Sequence, residues 1–240
     1  MGRFKTRTDG NILSIIDLVT NQSMYPYAPV FVREDFLGQA LDTTNGPFAY
    51  RDTGAATEAI VADAANGVLA LTLTSANEAQ LAGIDQADQL TWVLNQNLVF
   101  EARVRASVLP TTGTVVCIGL CDNHNAAVDT VAKSLWFRLD GATGGLITVE
   151  SDDGTTETTK VSTGVTLTTA DWVILRIDCS DPTSVKFFIN GEQVAATTTF
   201  NANATPTAPL QMVARIGKEA IGTSVGTLQV DYLQAWQNRS

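Results

Sequence analysis

Histidine occurs once in this 240-residue chain, at His124, and cysteine three times. One histidine excludes the usual zinc arrangements and leaves no Ser-His-Asp triad with a choice of base. Cys117 and Cys121 stand in a run that reads as a strand, which would separate them by ~13 Å, too far for a disulfide. With Cys179 on a core-facing register, the cysteines read as buried small hydrophobes made in a reducing cytoplasm. Basic residues are also scarce, 15 against 25 acidic ones, for a net charge of −10. That balance disfavours nucleic acid, whose phosphates need basic patches, and anionic membrane surfaces, so neither is expected as a partner. No apolar run is long enough to span a bilayer. Ile12 to Val19 is short and interrupted by Ser14 and Asp17, and the basic opening Met1-Gly-Arg-Phe-Lys-Thr-Arg carries no secretory pattern.

What the chain does have is strand after strand. Val173, Leu175, Ile177 and Cys179 alternate with Trp172, Arg176 and Asp178, and Val185, Phe187 and Ile189 alternate with Lys186 and Asn190. Period two of this kind marks antiparallel strands covering a core on one side. Asn190-Gly191 predicts a tight turn joining these two runs. Leu98 to Ala106 alternates most cleanly, and further runs begin near Val30, Phe48, Glu58, Val68, Thr114, Leu135, Leu146, Glu157, Leu210 and Leu228. Turn pairs such as Asn66-Gly67, Asp140-Gly141 and Asp153-Gly154 punctuate them. Asn77 to Ala87, where acids and glutamines mix with alanine, is the one stretch suited to a helix, and Gly83 argues against a long one. So many short strands predict an all-β antiparallel sandwich or barrel in a single domain, with no internal repeat.

Residues 1–28 form a distinct arm, with Arg3, Lys5 and Arg7 against Asp9 and Asp17. Ile12, Ile15, Ile16 and Val19 recur at helical spacing and give it an apolar stripe. Such an arm either tucks onto the domain that follows or docks on a partner. Residues 29–240 are the β-sandwich.

Val32-Arg-Glu-Asp-Phe-Leu-Gly-Gln-Ala-Leu-Asp resembles the opening strand of concanavalin A-like, laminin-G-like jelly rolls, and Leu98-Val-Phe-Glu-Ala-Arg-Val resembles their central strand. Trp172-Val-Ile-Leu-Arg-Ile followed by Val185-Lys-Phe-Phe-Ile-Asn-Gly-Glu-Gln-Val is similar to their late hairpin. Leu228-Gln-Val-Asp-Tyr-Leu-Gln-Ala-Trp is like their last strand, which pairs with the first. More narrowly, the combination resembles tailed-bacteriophage virion proteins that carry this fold as a capsid decoration or head-fibre module. The resemblance implies a structural protein on the capsid surface of a virion, synthesised in the host cytoplasm. Its partners would be the major capsid protein or other virion proteins, and further copies of itself. Docking would run through Arg3, Lys5, Arg7, Ile12, Ile15 and Ile16 and one face of the sandwich.

Jelly rolls of this type include glucanases, which set a Glu, an Asp and a second Glu at alternating positions of one strand. Glu150-Ser151-Asp152 supplies two of the three and is followed by the turn Asp153-Gly154, so no catalytic residue is assigned and an enzyme is not expected. Asp122 and Asn125, beside His124 and Asp129, offer hard oxygen donors of the kind calcium takes, but the same residue types build ordinary loops. No cofactor is expected and no metal site is assigned. Trp236 shares the parity of Leu228, Val230 and Tyr232 and is expected in the core. Trp136 and Trp172 fall opposite the neighbouring inward sets, so each either binds a glycan or a neighbouring subunit or sits in a second small core beneath a loop. A lectin-like module for host or environmental carbohydrate is thus the alternative to the virion protein.

Overall fold

The computed structural model describes residues 30–219 and 222–239, together with the backbone of three short strands between residues 4 and 25. Those strands, β1 (Phe4–Asp9), β2 (Ile12–Asp17) and β3 (Ser23–Tyr25), form an antiparallel sheet of their own in the order β1-β2-β3. The helical spacing read at Ile12, Ile15 and Ile16 is therefore corrected. These residues lie in β2, with Ile12 opposite Asp9 and Ile16 opposite Lys5. β-Branched side chains lose rotamer freedom in a helix and suit a strand, so a pairing partner decides the conformation. Arg3 and Val19 lie outside the described residues, as do the side chains of the other arm positions.

The body opens with β4 (Val30–Glu34), β5 (Ala49–Thr53), β6 (Thr57–Ile60), β7 (Leu69–Leu73) and β8 (Gln80–Asp85). Then come β9 (Leu98–Val108), β10 (Val115–Cys121), β11 (Ser134–Asp140), β12 (Leu146–Asp152) and β13 (Glu157–Thr166). It closes with β14 (Val173–Cys179), β15 (Lys186–Ile189), β16 (Glu192–Val194), β17 (Gln211–Lys218) and β18 (Gly226–Gln237). One sheet, the front, runs β13-β12-β11-β10-β17-β8-β5. The other, the back, runs β16-β15-β14-β9-β18-β7-β6, with β4 also on β18. The first and last strands of the body pair, Val30 with Gln237 and Glu34 with Leu233. All ladders are antiparallel, which gives the two-sheet sandwich that the alternation predicts.

The main core lies between the sheets. Leu98, Phe100, Ala102, Val104 and Ala106 of β9 are all buried there, and Phe187 meets Phe137 and Phe200 edge-on at 5.4 and 4.9 Å between ring centres. Val173, Leu175, Ile177 and Cys179 of β14 join them. Aromatic pairs in this geometry add to simple area burial.

Three local expectations change. Asn190-Gly191 does form a tight turn, at φ 52° and 85°, but it joins β15 to β16. β14 reaches β15 through the longer connection 180–185, and the turn is held to β14 by Ile174 N donating to Asn190 Oδ1 at 2.8 Å. Two left-handed residues match the twist of the flanking strands, whichever strands those are. The stretch 77–87, which suits a short helix by composition, instead contains β8, a strand paired on both sides and buried along its whole length. Gly83 suits this position because a Cβ there would lie 2.8 Å from that of Arg215. Trp236 leaves the core because β18 shifts register between Val230 and Tyr232, so parity inverts and Leu233 and Ala235 point inward instead.

Candidate functional site

The outer face of the front sheet is the chemically richest surface among the described residues. Strands β10, β11 and β17 are buried along nearly their full length because loop 122–133 lies across that face. Val128 of this loop packs with Leu81, Cys117, Cys121, Trp136 and Val213 in a second small core, and Val131 lies against it. Such a core needs a flat seat. Gly119 provides one, since a Cβ there would lie 2.7 Å from the Cα of Trp136 on the next strand.

Polar side chains ring this apolar patch. Trp136 and Glu150 face each other across β11 and β12, and the indole Nε1 donates to Glu150 Oε2 at 2.8 Å. Lys160 N donates to Glu150 Oε1 at 3.2 Å, and Arg138 Nε lies 3.7 Å from the same oxygen. Arg138 itself donates through Nε and Nη2 to Asp129 Oδ2 of the covering loop, at 3.2 and 2.7 Å. On the far side, Arg51 donates through Nε to Asp85 at 2.8 Å and through Nη2 to Asp88 at 3.0 Å. Between these groups stands Arg215, only 2% exposed, with its guanidinium 5.3 Å from the centre of the Trp136 ring. The loop is tied down by His124 N on Asp88 Oδ1, 2.6 Å, and by Val128 N on Glu219 Oε1, 3.0 Å.

Burial raises the Glu150 carboxyl above the ordinary range, against the opposing pull of the Trp136 hydrogen bond and the Arg138 charge. Burial also lowers His124, helped by the Arg51 charge. Its Nδ1 lies 3.5 Å from Asp85 but has no hydrogen-bond partner, so this contact is not an ion pair at neutral pH. At Asp88 burial acts upward, yet the bonds from His124 N and Gln211 outweigh it and the carboxyl is lowered.

The sequence candidates separate. Trp136 is 1% exposed, in the second core beneath a loop rather than on an open groove. Trp172 is half-buried on the outer face of the back sheet, where the guanidiniums of Arg103 and Arg105 lie 4.8 and 4.7 Å from its ring. Asp122 is half-buried with its carboxyl raised by desolvation, and Asn125 Oδ1 accepts from Ala127 N at 2.9 Å in a local turn. Among the described residues no cluster of three or more His, Cys, Asp and Glu groups could hold a metal. Asp152 Oδ1 accepts from Gly154 N at 2.8 Å, so it caps the turn that follows β12. Arg138 and Arg215 escape notice in the sequence. The signal available was a lone arginine inside an otherwise apolar strand, Leu135-Trp-Phe-Arg-Leu and Met212-Val-Ala-Arg-Ile.

No protein-family model and no curated protein matches this chain. Solved structures do. An endo-acting O-glycanase from prominent members of the human gut microbiota aligns at TM-score 0.62 and 11% identity, over 87% of this chain and 99% of that one. A β-glucanase of Bacillus licheniformis aligns at 0.57 and 12%, over 87% and 98%. The carbohydrate recognition domain of Emp47p aligns at 0.53 and 10%, over 85% and 93%. None of these three is a virion protein, so they lend no support to the phage resemblance. At such identities the likeness speaks for the fold alone: the chain folds as a concanavalin A-like jelly roll.

Proposed function

We propose that this chain is a glycan-binding module without hydrolytic activity, and that sugar is held on the outer face of the front sheet. The observation that carries the reading is the grouping of Trp136 with Glu150, Arg138 and Arg215 on that face. An indole flanked by carboxylate and guanidinium groups offers the apolar ring and the directed donors and acceptors that sugar recognition uses. Likeness to domains that recognise or act on glycans adds weight to it. Binding requires loop 122–133 to lift, since Trp136 lies beneath it.

The non-catalytic part rests on how the carboxylates are used. Retaining hydrolysis needs two free carboxyl groups facing one bond. Here Glu150 is held by Trp136 and Lys160 N, Asp152 by its turn, and the next alternate position is Gly154. A glycan array probed with the full chain, with and without calcium, tests the reading, and a blank array in both conditions overturns it. A docking role remains the second reading, favoured by the separate sheet formed within residues 4–25. Deleting residues 1–28 would then abolish particle attachment while leaving array binding unchanged.

A further inference from the structure

Among the described arginines and carboxylates of the front face, Arg215 stands apart. Asp85 holds Arg51 and Ala87 N, Asp88 holds Arg51, His124 N and Gln211, Asp129 holds Arg138, and Glu150 holds Trp136 and Lys160 N. Among the described residues no carboxylate hydrogen-bonds Arg215. Its Nη1 makes a single long bond, 3.4 Å, to the carbonyl of Asn125 in the covering loop. Its Nε and Nη2 are buried and have no hydrogen-bond partner among the described residues.

Those two nitrogens form one edge of the guanidinium, with parallel N–H bonds spaced to match the two oxygens of a carboxylate or a sulfate. In three other arginines of this protein the same edge is filled by carboxylate. Arg33 uses Nε and Nη2 on Asp35, at 2.8 and 2.6 Å, Arg138 uses them on Asp129, and Arg51 uses them on Asp85 and Asp88. The thiols near Arg215 supply no anion. Burial pushes the Cys117 thiol far up and that of Cys121 up to about 12, so both stay neutral. A buried cation with an empty side-on edge is costly unless something of opposite charge completes it.

We propose that Arg215 anchors an oxyanion subsite on this face, taking the acidic group of a glycan side-on through Nε and Nη2. The group is a uronate carboxylate or a sulfate ester, and the proposal rests on the glycan reading above. The long Asn125 contact is the one bond from Arg215 to the loop, and it uses the nitrogen that the side-on edge leaves out.

The test uses the full chain and follows the Arg215 Nε–H resonance by NMR during titration with glucuronate, glucose 6-sulfate, glucose and inorganic sulfate. The expected result is movement of that resonance with one or both acidic sugars, with glucose at least tenfold weaker. Movement with glucuronate alone assigns a carboxylate, and with glucose 6-sulfate alone a sulfate ester. Arg215→Lys keeps the charge and loses the side-on pair, so acidic-sugar affinity should fall roughly 10- to 100-fold, a larger factor than the fall for glucose. If glucose binds as tightly as the acidic sugars and the resonance stays still, the oxyanion subsite fails and the glycan reading survives. If inorganic sulfate moves the resonance and no sugar binds, the subsite stands and the glycan reading fails. If nothing moves it, solvent alone completes the edge and the proposal is overturned.

Discussion

The indole nitrogen of Trp136 donates to Glu150 Oε2 at 2.8 Å, across directly paired positions of β11 and β12. Both residues are buried, so neither finds water if the other is removed. Trp136→Phe should cost about 1–3 kcal/mol, since it leaves a desolvated acceptor unpaired. In a double-mutant cycle with Glu150→Gln, urea unfolding should show coupling of about 0.5–3 kcal/mol. Strictly additive losses would mean that the bond contributes nothing beyond packing.

Glu58 on β6 reaches across to β8, where Gly83 N donates to it at 3.1 Å. Burial pushes its carboxyl from 4.5 up to about 7, so in that window the folded chain keeps a proton that the unfolded chain has released. Stability linked to this group is therefore full at pH 4 and lost as pH rises to about 7. Glu58→Gln should raise the melting temperature relative to wild type at pH 8 and leave it unchanged at pH 4. Equal effects at both pH values would contradict this.

Lys218 is 2% exposed, and its Nζ donates to the carbonyls of Thr74, Ala76 and Gly222 at 2.9, 2.7 and 2.7 Å. It thus ties together the end of β17, the chain after β7, and the approach to β18. Lys218→Met fills a similar volume but strands those carbonyls, and should cost about 3 kcal/mol or more by denaturant unfolding. A loss under 1 kcal/mol, a typical surface value, would show that solvent reaches the carbonyls.

Cys117, Cys121 and Cys179 are each at most 1% exposed, and burial raises all three thiols. Thiolate is the reactive form, so a thiol reagent should label none of them in the folded chain and all of them in denaturant. Fast labelling of Cys117 or Cys121 alone would report opening of loop 122–133, which covers the core that holds both.

Much of this arrangement is readable in the chain. The alternation in Leu98–Ala106 and Val173–Cys179 yields β9 and β14 with the correct inward faces, because one side of each strand meets the core and the other does not. The pattern fails where both sides are covered. Gln80–Asp85 reads as helical in composition, yet pairing with β5 and β17 outweighs that preference. The inversion at Trp236 depends on a register shift that no parity count reveals. The candidate site was half legible. Trp136 and Glu150 stand out by residue type, whereas the partnering of Arg138 and the isolation of Arg215 depend on a loop whose resting place is set by Val128 and Asp129.

The four tryptophans offer the most direct test of where this protein binds. Their indole N–H resonances can be followed by NMR while a glycan positive on the array is added to the full chain. Binding on the front face, with loop 122–133 lifting, predicts that the Trp136 resonance moves as its bond to Glu150 is perturbed, while those of Trp172 and Trp236 on the back sheet stay in place. Movement of Trp172 or Trp236 with Trp136 unchanged would contradict it.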